Sequence, residues 1–298
     1  MTYLLTGATG FLGTKLVNAL LAEGHSVNYL GRKRSAHLDS RAAYFLWKPG
    51  EAPPLDTIPR FDVVVNLAGE PIAQRWNEEA KRRIRDSRVQ LTHQLVDGLR
   101  QLKNKPAVLV SGSAVGYYGD RGDEILAEDA APGQGFLAEV CVDWEREALR
   151  ATEFGVRVVT VRTGVVLGTK GGALQQMLPL FRWGMGAKFG SGRQWMPWIH
   201  VQDLIGLFIF AAETELVRGA VNGSAPSPVR NADFTRALAH ALHRPALFAI
   251  PRFALRAALG EMSDFLFGSL RAIPKVPEEA GFRFKFRELE PALQDLAS

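Results

Sequence analysis

The chain is predicted to fold as a doubly wound α/β domain, a parallel sheet with helices on both faces, followed by a small, mainly helical C-terminal lobe. Three observations predict this. Short β-type runs alternate with helical periodicities through the first half, the first run opens straight into a glycine-rich turn, and the alternation stops after Arg162.

Candidate strands occupy residues 2–6, 26–30, 44–47, 62–66, 108–111 and 157–162. Between the first two, Leu12, Leu16, Val17, Leu20 and Leu21 recur at helical spacing, and Gly24 is placed to cap that helix at its C-terminus. Leu91, Leu95 and Leu99 mark a second helix over residues 87–102, and a third covers residues 136–154 with Cys141, Trp144 and Leu149. Beyond Arg162, glycines at 164, 168, 171, 172, 184, 186, 190 and 192 predict a loop-rich segment of the kind that carries binding surfaces. A strand at residues 219–222 leads into the turn Ala225-Pro226-Ser227-Pro228. In the lobe, Asn231 or Asp233 caps one helix and residues 253–259 form another. The expected division is a core of residues 1–225, including a substrate loop at 163–200, and a lobe of residues 226–298.

Composition narrows the function. With 298 residues, 47% of them hydrophobic, the chain can bury a large core. Its one cysteine, Cys141, cannot form an internal disulfide, which suits a reducing compartment. The net charge of +5 raises the question of nucleic acid, but the basic runs Arg32-Lys33-Arg34 and Lys81-Arg82-Arg83 are short. A basic enzyme with an anionic cofactor explains the charge better. The six histidines make no metal spacing. No secretory leader is expected, because the first apolar residues stop at the glycine turn, and no apolar run reaches the roughly 20 residues of a membrane span. The expectation is a cytoplasmic protein acting on a small molecule, without nucleic-acid or membrane partners. Sequence does not fix its oligomeric state.

The strongest motif is Gly7-Ala8-Thr9-Gly10-Phe11-Leu12-Gly13, set between a strand and an amphipathic helix. A dinucleotide pyrophosphate needs backbone N–H donors at close range, and glycine lets it approach the helix N-terminus, so the arrangement reads as a Rossmann-type phosphate turn. Gly7, Thr9, Gly10, Phe11, Leu12 and Gly13 are the candidate contacts. At the end of the second strand stands Gly31-Arg32, with no acid before Asp39. An arginine there suits the 2′-phosphate of NADP(H), whereas an Asp or Glu would suit NAD.

Together with Asn66-Leu67-Ala68-Gly69 and Tyr117-Tyr118-Gly119, this turn resembles the extended short-chain dehydrogenases/reductases of the NAD-dependent epimerase/dehydratase family. Arg75-Trp76-Asn77, Ser87-Arg88, Gly171-Gly172-Ala173-Leu174 and Trp198-Ile199-His200 are similar to an atypical branch, epimerase-family proteins of the SDR family 39U member 1 type, some labelled cell-division inhibitors. The resemblance implies that Leu67, Ala68 and Gly69 pass under the adenosine half of the cofactor, that Arg88 contacts NADP(H), and that Val166 lies near the nicotinamide. It also exposes a departure. No Tyr-x-x-x-Lys, the superfamily's dyad, occurs between Gly119 and Glu147: with Glu145 set on the relatives' acidic residue, Leu137 takes the tyrosine's place and Cys141 the lysine's. Tyr117, Ser113 and Glu139 are the substitute acid–base candidates. Two readings stay open, an oxidoreductase or epimerase of unknown substrate and a non-catalytic NADP(H)-binding regulator. Asp203 is expected to cap a helix over residues 204–212, and Arg193 to face either solvent or an anionic substrate.

Overall fold

A strand buried on both faces belongs inside a parallel sheet covered by helices. Leu4, Leu5, Val63, Val64, Val65, Leu109 and Val110 have that character, each with at most 1% of its surface accessible. The computed structural model describes residues 1–48 and 50–297; Ser298, the last residue of the expected lobe, lies outside them. It contains a seven-stranded parallel sheet of β1 (Thr2–Thr6), β2 (Ser26–Gly31), β3 (Ala43–Leu46), β4 (Val63–Asn66), β5 (Val108–Ala114), β6 (Arg157–Thr163) and β7 (Gly219–Gly223). Their spatial order is β7-β6-β5-β4-β1-β2-β3, and β1 pairs with β2 on one side and β4 on the other. Strand order therefore reverses at β1, which opens a crevice at the carboxyl ends of β1 and β4.

The two faces follow from the alternation of side chains along each strand. Tyr3, Leu5, Val63 and Val65 pack against Leu16, Val17 and Leu20 of helix α1 (Phe11–Ala22). Leu4, Val64 and Leu109 point the other way, onto Leu95 and Leu99 of a helix over Val89–Gln101 and Ala148 of one over Phe136–Leu149. Gly24, at φ +82°, follows the end of α1 in the left-handed conformation.

The helix expected over residues 87–102 is present, and a short helix that no apolar spacing announces precedes it. Helix α2 (Glu78–Asp86) ends at Ser87, Ser87 and Arg88 form a turn, and α3 (Val89–Gln101) begins after it. Only Ala80 and Ile84 of α2 are buried, too few to show as a period; its signal is the cap, with Asn77 accepting from the Ala80 N–H at 2.8 Å. The helix expected from residue 136 is α4 (Phe136–Leu149), continued by a 3-10 turn over Arg150–Phe154.

The glycine-rich segment holds more order than its composition suggests. It contains helix α5 (Gly172–Arg182), whose Leu174, Leu178 and Phe181 form a buried stripe, and short strands at Val165–Leu167, Ala187–Phe189, Trp195–Met196 and Trp198–His200. All of these except the strand Ala187–Phe189 join helix α7 (Asn231–Ala241) and the last helix (Leu289–Ala297) in one apolar cluster around Trp198 and Phe234. Between them α6 (Val201–Glu213) returns to the sheet. No helix among the described residues is long and apolar enough to cross a membrane.

Two caps differ from expectation. His200, not Asp203, caps α6, its Nδ1 accepting from the Gln202 N–H at 3.2 Å. Asp203 instead accepts from the N–H groups of Lys285 (2.8 Å) and Phe286 (2.9 Å), a contact no local pattern encodes. Arg230 holds the N-cap position of α7, while Asn231 is its first helical residue and accepts from the Phe189 N–H at 2.8 Å.

His200 is buried against the Phe286 ring, with centroids 4.0 Å apart. Burial brings its pKa down to about 4, against the pull of Asp295. Below about pH 6.5 the unfolded chain takes up a proton that the folded one refuses, so this site's contribution to stability is lost as pH falls toward 4. In urea titrations at neutral and mildly acidic pH, His200→Gln should lose less stability on acidification than wild type. Equal losses would show that His200 does not carry the effect.

Candidate cofactor and reaction site

The opening turn is built by lack of room. Gly7, at φ +69°, leaves β1 so close to the next strand's exit that a Cβ on it would stand 2.5 Å from the Leu67 carbonyl carbon. A Cβ on Gly13 would stand 2.2 Å from the Gly7 oxygen. Gly10 donates to the Gly7 carbonyl at 3.0 Å and starts α1 with no side-chain cap. The amides of Phe11, Leu12 and Gly13 thus open the helix without intrahelical acceptors, at the positive end of its dipole. Thr9 and Gly10 are exposed, so the turn is accessible. A cradle this bare of side chains fits a pyrophosphate. The Phe11 ring lies on the glycine-rich segment, where a Cβ on Gly171 would stand 2.2 Å from its Cγ. Val166 is close by: a Cβ on Gly172 would stand 2.5 Å from the Val166 oxygen.

The turn after β2 is fixed from inside the sheet. The Gly31 carbonyl accepts from Tyr44 Oη (3.3 Å) and the Trp47 N–H (2.9 Å), and Tyr29 Oη accepts from the Ser35 N–H at 3.1 Å. Arg32, Lys33 and Arg34 are presented outward, and Arg32 makes no hydrogen bond or ion pair among the described residues.

The exit of β4 rests on a buried polar set. Asn66 accepts from Thr6 Oγ1 at 2.6 Å and donates to Thr92 Oγ1 at 2.8 Å and Ser111 Oγ at 3.3 Å. Thr6 Oγ1 also accepts from the Ala68 N–H at 3.2 Å. Further on, Ser87 Oγ accepts from the Glu70 N–H at 2.9 Å and Arg88 donates to the Glu70 carbonyl at 2.9 Å. The strand that precedes Leu67, Ala68 and Gly69 and the helix break that follows them therefore hold that loop at both ends.

The two positions that the resemblance aligns with the dyad carry no phenol and no ammonium, and both are packed against neighbours. Leu137 packs with Trp76, Ile84 and Met262. Cys141 is 3% accessible, and burial, with Glu145 nearby, pushes its thiol up to about 12. A thiol so protected is neither nucleophile nor cation.

Ser113 and Tyr117 converge on a different group, Arg162. Its guanidinium is buried and bonds both Glu145 oxygens at 2.9 Å, Tyr118 Oη at 3.0 Å and the Glu128 carbonyl at 3.0 Å. Burial opposes its charge, but Glu145 outweighs that and holds its pKa above the usual arginine range. Ser113 donates to Glu145 at 2.6 Å, so its proton is already engaged. Tyr118 donates to Asn222 at 2.7 Å, and burial pushes it up to about 12. The partly buried Tyr117 ring lies 3.5 Å from the Arg162 Cζ, and its hydroxyl makes no hydrogen bond among the described residues. Glu139 is not brought to this cluster; it is exposed and faces a groove with Lys81, Arg82 and Arg85. Sequence reasoning passed over Arg162 as a hub. Its one signal was a charge ending the run Val158-Val159-Thr160-Val161. Arg193 is exposed.

Comparison with known proteins bears on this geometry. The NAD dependent epimerase/dehydratase family matches residues 3–222, and a domain of unknown function, DUF1731, matches residues 250–296. The chain is 40% identical over 302 residues to the chloroplastic epimerase family protein SDR39U1 homolog of Arabidopsis thaliana, covering 99% of this chain and 86% of that one. It is 38% identical over 297 residues to the epimerase family protein YfhF of Bacillus subtilis, covering 99% and 98%. The crystal structure of human epimerase family protein SDR39U1 with NADPH superposes with a TM-score of 0.91 at 34% identity, covering 100% of this chain and 99% of that one.

Removing one partner of a buried ion pair strands the other, at a cost of about 3–5 kcal/mol. Glu145→Gln should therefore lower the urea midpoint sharply, while Glu139→Gln, at an exposed position, should leave it nearly unchanged. Similar midpoints for the two variants would contradict a buried Arg162–Glu145 pair.

Proposed function

The chain belongs to the NAD dependent epimerase/dehydratase family, and from that premise we propose that it binds NADP(H) across the carboxyl ends of its central strands and transfers hydride to or from a small-molecule substrate, as an oxidoreductase or epimerase. The observation that carries the reading is the turn at Gly7 and Gly13, where only a backbone stripped of side chains fits and a phosphate is the matching ligand. The NADPH in the human relative's crystal structure supports the choice of cofactor.

In this reading Gly7, Thr9, Gly10, Phe11, Leu12 and Gly13 form the pyrophosphate cradle. Arg32, beside Gly31, forks onto the 2′-phosphate. The backbone of Leu67, Ala68 and Gly69 passes under the cofactor's adenosine half, Arg88 stands beside the cofactor, and Val166 lies near the nicotinamide. When bound, the nicotinamide supplies hydride chemistry; the protein supplies orientation, electrostatics and a proton. Of Tyr117, Ser113 and Glu139 we favour Tyr117 as the proton donor. Its hydroxyl is uncommitted, whereas Ser113 already donates to Glu145 and Glu139 faces a solvent groove. Residues 1–225 form the cofactor core, and the 163–200 segment with the lobe from residue 226 forms the substrate side. The buried, unpaired Cys141 suits the cytoplasm, where we place the protein.

A second reading, a regulator that binds NADP(H) without turnover, is favoured by Leu137 and Cys141 at the dyad positions. Deuteride-labelled NADPH offered with a panel of carbonyl compounds and nucleotide sugars separates the two. Transfer to any member supports the enzyme, and none to a broad panel supports the regulator.

A charge-assisted bond to phosphate is worth about 1.5–3 kcal/mol, or about ten- to a hundredfold in affinity. Arg32→Ala should weaken NADPH by that factor and leave NADH nearly unaffected in a fluorescence titration. Equal losses for both cofactors would remove the 2′-phosphate assignment. With a substrate in hand, Tyr117→Phe should slow hydride transfer by about 10²–10⁴ while the NADPH Kd stays the same. An unchanged rate would clear Tyr117 of the role.

A further inference from the structure

The large apolar side chains left exposed among the described residues are far apart in the chain, with one exception. Leu180, Trp183, Met185, Leu247, Phe248 and Phe253 fall in two short segments, with Trp183 80%, Leu247 85% and Phe253 76% accessible. The fold sets those segments side by side. The strand Phe248–Ile250 pairs in parallel with Ala187–Phe189, Phe248 opposite Ala187. Arg244 Nε donates to the Arg182 carbonyl at 3.0 Å, and a Cβ on Gly184 would stand 3.6 Å from Pro245 Cγ. Helix α8 (Arg252–Leu259) continues this surface just past Ile250, and none of its residues is buried.

Packing within the chain does not use these side chains. Helix α5 buries its stripe of Leu174, Leu178 and Phe181, and Leu180 lies off that stripe, with Trp183 just past the helix end. Three aromatic and three aliphatic side chains exposed together form the kind of patch that a folded domain reserves for a partner.

Charge identifies the partner. No Asp or Glu occurs between Glu153 and Asp203, nor between Asp233 and Glu261, so both segments are free of acid. They carry Arg182, Lys188, Arg244, Arg252 and Arg256, and of these only Arg252 meets a carboxylate among the described residues, Asp264 at 2.7 Å. Apolar side chains amid unpaired cations match a surface that is apolar within and anionic outside, which is a bilayer with acidic headgroups. Tryptophan suits the depth of the headgroup boundary, and long basic side chains keep their charge in the polar layer. A second copy fits poorly, because a two-fold contact would set this acid-free surface against itself. Leu180, Met185 and Leu247 have no ring to stack on bases, which disfavours nucleic acid.

We infer that the face formed by residues 180–190 and 244–256 docks on an anionic lipid membrane from one side, with Trp183, Leu247 and Phe253 entering the acyl boundary and the free cations meeting the headgroups. This departs from the expectation of no membrane partner. It needs no spanning helix, and it stands independently of the cofactor reading.

Flotation of the full chain with vesicles tests it, using phosphatidylcholine alone and phosphatidylcholine mixed with phosphatidylglycerol. Wild type should float with the mixed vesicles and not with the neutral ones, and its binding should fall as salt rises above about 0.1 M. Trp183→Ser, Leu247→Ser and Phe253→Ser combined should weaken the partition by at least about tenfold. Arg182→Glu with Arg256→Glu should weaken it by about tenfold or more. All five positions are exposed, so both variants should keep the wild-type unfolding midpoint. No flotation of wild type, equal binding to both kinds of vesicle, or a serine variant that binds like wild type overturns the inference. So does a wild-type dimer in sedimentation that the serine variant turns into a monomer, since a second copy would then cover this face.

Discussion

At Gly7 the backbone passes within van der Waals contact of Leu67, and at Gly13 the first turn of α1 closes onto the Gly7 carbonyl. No methyl group fits at either point, and this close approach sets the spacing of the rest. It seats α1 directly at the end of β1, brings the exits of β1 and β4 side by side, and leaves helical amides facing the crevice where strand order reverses. The Phe11 ring extends the same constraint into the glycine-rich segment. It occupies the space that side chains at Gly168 and Gly171 would need, which gives those two glycines a physical reason.

Two desolvated arginines near this crevice divide the electrostatic work. Arg162 is answered on every side, by Glu145, Tyr118 and the Glu128 carbonyl, and those partners come from α4, the segment after β5 and the loop beyond it. Such a closed set fixes geometry and offers nothing further to a ligand. Arg88 is the opposite case, with carbonyl acceptors for one nitrogen and none among the described residues for the others. Saturation marks the first as structure.

The loss of the usual dyad is accommodated by packing. Leu137 completes an apolar cluster that ties α4 to Trp76 and to Met262 of the C-terminal lobe, and Cys141 is buried beside Ser113 and Glu145. Serine and glutamate in this region are bonded to each other and to Arg162, so the group left with an open hydroxyl is the phenol of Tyr117. Aromatic rings and guanidinium groups frame this region.

Local sequence determined whatever depends on a repeating pattern or on one residue's backbone freedom. Alternation in Tyr3-Leu4-Leu5 and Val63-Val64-Val65 assigns side chains to the two faces of the sheet, the spacing of Leu16 and Leu20 builds α1, and the turn from Gly7 to Gly13 needs glycine wherever it occurs. The tertiary structure alone decided what depends on partners far along the chain. Asp203 looks like a helix cap until the N–H groups of Lys285 and Phe286 claim it. The short helix over residues 78–86 shows no apolar period, and its end is tied to the exit of β4 by the bonds of Ser87 and Arg88 to Glu70. Glu139 shares a helix with Cys141, but rotation about the axis sends it to solvent. Periodicity records which face of an element is buried; it carries no information about which distant group will meet a particular donor or acceptor, and that pairing is what makes a site.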